Sequence, residues 1–245
     1  MEGIKHQVPE NFDRLHAEEE KLRTKALLII EHDEGLKLHL NLIECAMGLA
    51  ESLRVYGPDS DDMKVIRTLG MRCFNAFASS LKLLTTGYSQ TSALILRDIL
   101  ETAFLLDLFQ SYRHLIAEWR LADSKTQREK FGPVSVRKLL DERDGNGGKK
   151  RAELYKLFSE LAGHPNMKSD YMLRPHKDGD ALAGPFIEEL TLRAGLGEMG
   201  KLAVQIAESL DQFFDFENEH VAAERHKFKK LKAEWIGCFL PRRKS

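Results

Sequence analysis

Apolar residues recur at intervals of three and four along almost the whole chain, the spacing of helices that bury one face. Leu15, Leu22, Ala26, Ile29 and Ile30 make one stripe, and Leu36, Leu40, Ile43, Met47, Ala50 and Leu53 make the next. Residues 10–56 are therefore expected to form one long helix or two consecutive ones. Tyr56-Gly57-Pro58 ends this unit. Asp59, Ser60, Asp61 and Asp62 then offer a cap and first-turn acids to a helix over 61–86, which Gly87 stops as a C′ glycine. A third helix over 88–111 and a shorter one holding Trp119 follow. Pro133, suited to a first helical position, starts VSVRKLLDER, and DGNGG from Asp144 to Gly148 breaks the chain. Another helix carries Tyr155 to about Ala162, residues 163–185 form the longest irregular stretch, and helices over 186–217 and 218–237 close the pattern. Strand alternation is nearly absent and no internal repeat is visible, so the expected class is all-α, a multi-helix bundle. The natural division is an N-terminal helical segment, 1–58, a bundle core, 59–217, and a basic C-terminal helix and tail, 218–245.

Composition narrows the class without naming a chemistry. With 245 residues, 42% hydrophobic and 31% charged, the chain has the balance of a soluble globular protein. MEGIKHQVPE lacks the basic start and apolar run of a signal peptide, and no stretch approaches the roughly 18 apolar residues of a membrane span. A cytoplasmic protein with no membrane partner is the resulting expectation. Cys45, Cys73 and Cys238 are odd in number and far apart, which suggests neither a disulfide framework nor a metal knuckle. The net charge of −1 conceals a basic end: Arg225, Lys227, Lys229, Lys230, Lys232, Arg242, Arg243 and Lys244 stand against Glu234 alone. Such a segment attracts phosphate backbones or acidic partners, or is simply a solvated last helix.

Several patterns are weaker than they look. GLGEMG, from Gly195 to Gly200, matches G-x-G-x-x-G, but FIEELTLRA before it is amphipathic helix and not the buried strand a dinucleotide site needs. GNGGKK has neither the spacing nor the Ser/Thr of a phosphate loop. Glu217 and His220 form one Glu-x-x-His turn, whereas a carboxylate-bridged di-metal bundle takes two. No metal and no cofactor is called for.

Two polar clusters carry more. Within LILRDILETAFLLDLF, Arg97 and Glu101 are one helical turn apart among apolar neighbours, so they are expected in or near the bundle interior. A guanidinium there must be paired, and Glu101 can supply one partner, either to fix helix register or to hold a functional cation. In YKLFSELAGHP, Tyr155, Ser159 and His164 follow one side of a helix that Pro165 stops. A histidine at a helix C-terminus is favoured in its charged form, as a proton donor or acceptor or as a cap for free carbonyls.

GYSQTSALILRDILE, from Gly87 to Glu101, followed by Trp119 and YKLFSELAGHP, resembles a family of uncharacterised all-helical bacterial and archaeal proteins over about residues 60–170. The resemblance carries over Arg97, Glu101, Tyr155, Ser159 and His164, with no assigned reaction. That family is similar, more loosely, to the HEPN helical proteins, many of them metal-independent ribonucleases of toxin and phage-defence systems with an Arg-x4-6-His signature. The chain departs from that signature, since the nearest arginine before His164 is Arg151; the guanidinium would have to come from Arg97. The resemblance implies that His164 is the general base toward a 2′-hydroxyl, Arg97 stabilises charge on phosphorus oxygens and Glu101 orients Arg97, with Tyr155 and Ser159 in binding roles. RNA or another phosphate-bearing ligand, and a second copy of the chain, are the implied partners. The competing expectation is a non-catalytic helical adaptor or a sensor of a small ligand or anion, in which the same cluster fixes the fold or holds an anion.

Overall fold

The computed structural model describes residues 9–145, 150–163, 167–176 and 178–240, and all regular structure among them is helical. In chain order the α-helices are α1 (Glu10–Glu31), α2 (Glu34–Tyr56), α3 (Asp61–Thr85), α4 (Ser89–Ser111), α5 (His114–Leu121), α6 (Ser124–Phe131), α7 (Pro133–Arg143), α8 (Lys150–Phe158), α9 (Glu189–Asp211) and α10 (Glu219–Phe239). A π-helical turn, Ser159–Gly163, extends α8, and a 3₁₀ helix, Met167–Leu173, lies within the stretch expected to be irregular. The class is all-α, a multi-helix bundle, and no helix among the described residues is long and apolar enough to cross a membrane.

Helix ends follow local side-chain chemistry. The expected run over 10–56 divides at His32-Asp33 because Asp33 caps α2: its Oδ1 accepts from the Leu36 amide at 2.9 Å. Its Oδ2 also accepts from Arg193 at 2.5 Å, which ties the α1–α2 corner to α9; the Arg193 hydrogen bond, then the Leu36 amide, pull the Asp33 pKa down. Ser60 caps α3 as expected, accepting from the Met63 amide at 3.2 Å. At the other end of α3 the Tyr88 amide donates to the Leu83 carbonyl at 2.8 Å and the Gly87 amide to that of Leu84 at 3.3 Å, the paired bonds of a Schellman ending. Gly87 has φ +93°, and a Cβ there would meet the Phe186 backbone at 2.6 Å, so this glycine both turns the chain and admits the segment that leads into α9.

The centre is a ring in which α2 packs on α3, α3 on α4, α4 on α9 and α9 back on α2. One continuous hydrophobic core runs from Ala26 in α1 to Trp235 in α10. Between α3 and α4 the hydroxyls of Ser80 and Ser92 lie 2.8 Å apart, and Ser92 also donates to the Ser80 carbonyl at 3.0 Å. Small residues that satisfy each other's polarity let these two helices approach closely without burying an unpaired group. On the outside of the ring α10 lies along α2, while α7, α8 and the π turn cover the remaining side of α4. The helix expected to reach residue 217 stops at Asp211 because Phe213 and Phe214 are buried as a connector, and Asn218 starts α10 by accepting from two amides.

An aromatic clasp fastens the C-terminal end of α10. Trp235 Nε1 donates to His39 Nδ1 at 2.8 Å, and Phe239 stacks on the imidazole with ring centres 4.2 Å apart. The clasp explains the end of GLGEMG: a Cβ on Gly200 would meet His39 Nδ1 at 2.6 Å, so only glycine lets α9 pass beneath the ring. Burial, followed by the nearby Lys201 charge, pushes the His39 pKa down to about 4, with Asp33 opposing weakly. Protonation would also set a second N–H against that of Trp235.

Gly87→Ala should lower unfolding free energy by about 3 kcal/mol, since backbone strain and a backbone clash coincide there, while Gly145→Ala, with φ +62° and nothing within 4 Å of its Cβ, should cost only about 1 kcal/mol; urea titration of both variants distinguishes them. His39 has a folded pKa below its unfolded value, so its contribution is complete above about pH 6.5 and is lost as pH falls toward about 4. Chemical denaturation across that window should show stability falling by up to about 2 kcal/mol, less than the full shift because solvent at the rim of the clasp screens part of it. His39→Gln, which keeps an acceptor for Trp235 but takes up no proton there, should flatten the fall.

Candidate functional site

On α4 the core takes Ser92, Ala93, Leu96, Ile99, Leu100, Ala103, Phe104, Leu106 and Leu108. Arg97 and Glu101 fall at the edge of this sector, with side chains 23% and 32% exposed. Of the two places the spacing allowed, in the interior or near it, they take the second: they occupy the seam that α7 and α8 make against α4. The reason is the width of the buried sector, which leaves one narrow strip of α4 for polar groups.

The strip is met by Tyr155 from α8 and Arg137 from α7. Arg97 Nη2 donates to the Tyr155 hydroxyl at 2.5 Å, and its Cζ lies 4.8 Å from the centre of that ring. Arg137 stacks on the same ring, its Cζ 4.1 Å from the centre. Glu101 Oε1 is 3.3 Å from Arg97 Nε, yet the contact lacks the alignment of a hydrogen bond. Arg97 Nε and Arg137 Nη1 are consequently buried nitrogens without a hydrogen-bond acceptor. Counted against Glu101 alone, Arg97 and Arg137 carry one excess positive charge and leave spare N–H donors.

Further along the same seam the opposite balance holds. Arg143 grips Asp107 with two hydrogen bonds, at 2.7 and 3.1 Å, and also bonds Asp144 and Ser111, each at 2.6 Å. Arg151 bonds Asp141 at 2.6 Å and also Asp144. Hydrogen bonds from Arg143 and then Arg151 hold the Asp144 carboxyl down at about 2. Burial works against the Arg151 charge, but its bonds to Asp144 and Asp141 outweigh it and raise the pKa. Three carboxylates here hold two guanidiniums, every one of them engaged, which is the bonding of a clamp between α4, α7 and α8. A cleft of about 450 Å³ opens beside it, with Asp107, Asp141, Arg151, Gln205 and Glu208 on its walls.

Of the site residues expected from sequence, Arg97, Glu101 and Tyr155 are brought together. Ser159 is one turn beyond Tyr155 and donates its hydroxyl to the Tyr155 carbonyl at 2.8 Å, so it serves the helix backbone. His164 lies outside the described residues. From Tyr155 to Leu161 the chain runs along α4 toward its start, where the Gln90 side chain donates to the Leu161 carbonyl at 3.4 Å. The basic end is partly neutralised: Arg225 pairs with Asp211 at 2.5 Å, Lys227 with Glu44 at 3.0 Å, and Lys232 with Glu208. Arg242, Arg243 and Lys244 lie outside the described residues. His220 stacks on Tyr56 with ring centres 5.7 Å apart, and no group of three or more potential metal ligands is present among the described residues. Cys45 and Cys73 are buried thiols and Cys238 is exposed.

Arg137 was not among the residues the sequence singled out. Its only local signal is its place beside the core positions Val136 and Leu140 of α7, a place many solvated arginines share. No family model matches the chain, and neither a curated protein nor a solved structure matches it.

If Arg97 and Arg137 were there to hold the fold, replacing either by an apolar chain of similar length would cost several kcal/mol, on the order of 3 or more. Unsatisfied buried donors reverse that expectation. Arg97→Met and Arg137→Met should each change unfolding free energy by no more than about 1 kcal/mol, whereas Arg143→Met, which orphans the carboxylates it grips, should lose on the order of 3 kcal/mol; thermal denaturation of the three variants side by side checks the contrast.

Proposed function

We propose that the seam between α4, α7 and α8 recognises a phosphodiester and that the ligand of this protein is RNA. The observation that carries the reading is the pair of buried, acceptorless nitrogens, Arg97 Nε and Arg137 Nη1, on two guanidiniums that share one tyrosine. An anion admitted to the seam by a shift of the guanidinium torsions would offer these donors charge-assisted hydrogen bonds, the strongest kind available at such a site. The charge balance favours the diester over a terminal phosphate. One excess positive charge matches the single negative charge of a backbone phosphate, while a phosphomonoester brings about −1.5 to −2 near neutral pH. Glu101 keeps the arginines from over-neutralising the site and braces Arg97 from one turn away. Lys229 and Lys230 on α10 add unspecific attraction for the rest of a polyanion.

A second reading adds chemistry to the same recognition. The π-helical turn Ser159–Gly163 directly precedes His164 in the chain, and π turns recur at functional positions. In this reading His164 removes the proton of the 2′-hydroxyl, the oxygen attacks the adjacent phosphorus and the 5′-oxygen departs, while Arg97 stabilises the charge on the non-bridging oxygens.

Fluorescence anisotropy with a labelled single-stranded RNA in EDTA tests both. Wild-type protein should bind with an affinity that falls with salt, and Arg97→Gln and Arg137→Gln should each weaken binding by about tenfold, the loss expected for one charge-assisted contact. Inorganic phosphate should compete poorly. Unchanged affinity in both variants overturns the site, and equal competition by phosphate turns the protein into an anion sensor. Gel analysis of the same mixtures reads cleavage: loss of cutting with retained binding in His164→Ala supports the second reading, and intact RNA throughout leaves recognition alone.

A further inference from the structure

The side of the α8 and π segment opposite the guanidinium pair bounds a different kind of space. A cavity of about 360 Å³ lies between the first half of α4, the end of α8, the π turn, the 3₁₀ helix and the start of α9. Ala93 and Leu96 line it from α4, Phe158 and Leu161 from the α8 segment, Met172 from the 3₁₀ helix and Ala194 from α9.

Three of its polar neighbours, Ser92, Thr191 and Glu198, are already committed to the protein. Ser92 is held by Ser80 at 2.8 Å, the Thr191 hydroxyl donates to Glu188 at 2.7 Å, and Glu198 accepts from Lys201 at 2.6 Å. An anion entering here would lose its hydration and meet the Glu198 carboxylate with no cation among the described residues of the walls, a cost of several kcal/mol, on the order of a buried unpaired charge. An apolar molecule would lose only unfavourable water contact. Clefts and cavities of about 300–1,000 Å³ with mostly apolar walls are the usual dimensions of small-molecule sites. A cavity of about 150 Å³ accommodates benzene, so the present volume suits roughly two fused rings or an equivalent branched chain. Leu157, Tyr171 and Leu190 stand at the mouth with 45%, 57% and 74% of their surface exposed, an apolar approach for such a molecule.

We propose that this cavity is a binding site for a neutral, apolar small molecule of about two-ring size. It is independent of the RNA reading, because it shares no lining residue with the guanidinium cluster.

The probe that tests it is prodan, an uncharged naphthalene dye whose emission shifts to the blue in apolar surroundings. Titrated into the full chain, it should show a saturable blue shift with one dye per chain. Ala194→Phe, at an exposed position on α9, sets a ring into the cavity from the mouth, and Ala93→Leu fills it from α4. Each should weaken the dye roughly tenfold or more, the factor equivalent to about 1.4 kcal/mol, with circular dichroism and melting temperature recorded alongside. Leu28→Ser, in the open groove between α1 and α9, should leave dye binding unchanged. Should Ala93→Leu fail to fold, Ala194→Phe decides alone. The proposal is overturned if wild-type protein gives no saturable shift, if neither filling substitution weakens the dye, or if the anionic dye 1-anilinonaphthalene-8-sulfonate displaces prodan with equal affinity. RNA binding by the same variants is read separately, so loss of the RNA site would leave the dye result standing.

Discussion

A helix wrapped on most of its circumference has only a seam in which to keep a charge, and α4 is such a helix. α3 and α9 bury one side of it, and α7, α8 and the π turn close over much of the other. The serine pair at the α3 crossing fixes how close the helices come there, and Leu96, Leu100, Phe104 and Leu108 are buried along the rest of α4. Arg97 is left at the boundary, too sheltered for water to satisfy its Nε and too exposed to count as core. The candidate site is a consequence of which groups reach that boundary.

The seam divides by charge stoichiometry. Asp107, Asp141 and Asp144 outnumber Arg143 and Arg151, and the network closes on itself with good geometry. Arg97 and Arg137 outnumber Glu101, and donors are left over. The same residue types, on the same three helices, therefore act as a rivet at one end and, in the function we propose, as a receptor for negative charge at the other. Counting acids against bases in each cluster separates the two roles, where proximity alone would merge them.

Much of the architecture was legible in the order of residues because it is set locally. Ser60 and Gly87 mark the ends of α3 through bonds to their own backbone neighbours, and Pro133 begins α7. Where tertiary burial takes over, legibility fails. Phe213 and Phe214 continue a helical pattern but leave α9 because the core needs them as a connector. α6, with little apolar character, gave no periodic signal, and its start rests on Asp123 accepting from the Thr126 amide at 2.7 Å. The site was half visible: Arg97 and Glu101 share a helix, so their spacing announces them, and Tyr155 stands out through its place in a motif. Arg137 comes from a helix whose position over Tyr155 no local spacing encodes.

The placement of Arg97 on α4 also governs how the seam can move. Leu96 and Leu100 on either side of it are within 3% of complete burial, and the helix that carries them is gripped along its length. Amide protons in such a stretch exchange with solvent only when the whole molecule opens. The backbone beneath the two cations is thus among the last parts of the chain to loosen. Any adjustment to a guest must come from guanidinium torsions and from the shorter helices laid over α4, which makes the seam a stiff anvil under a softer cover.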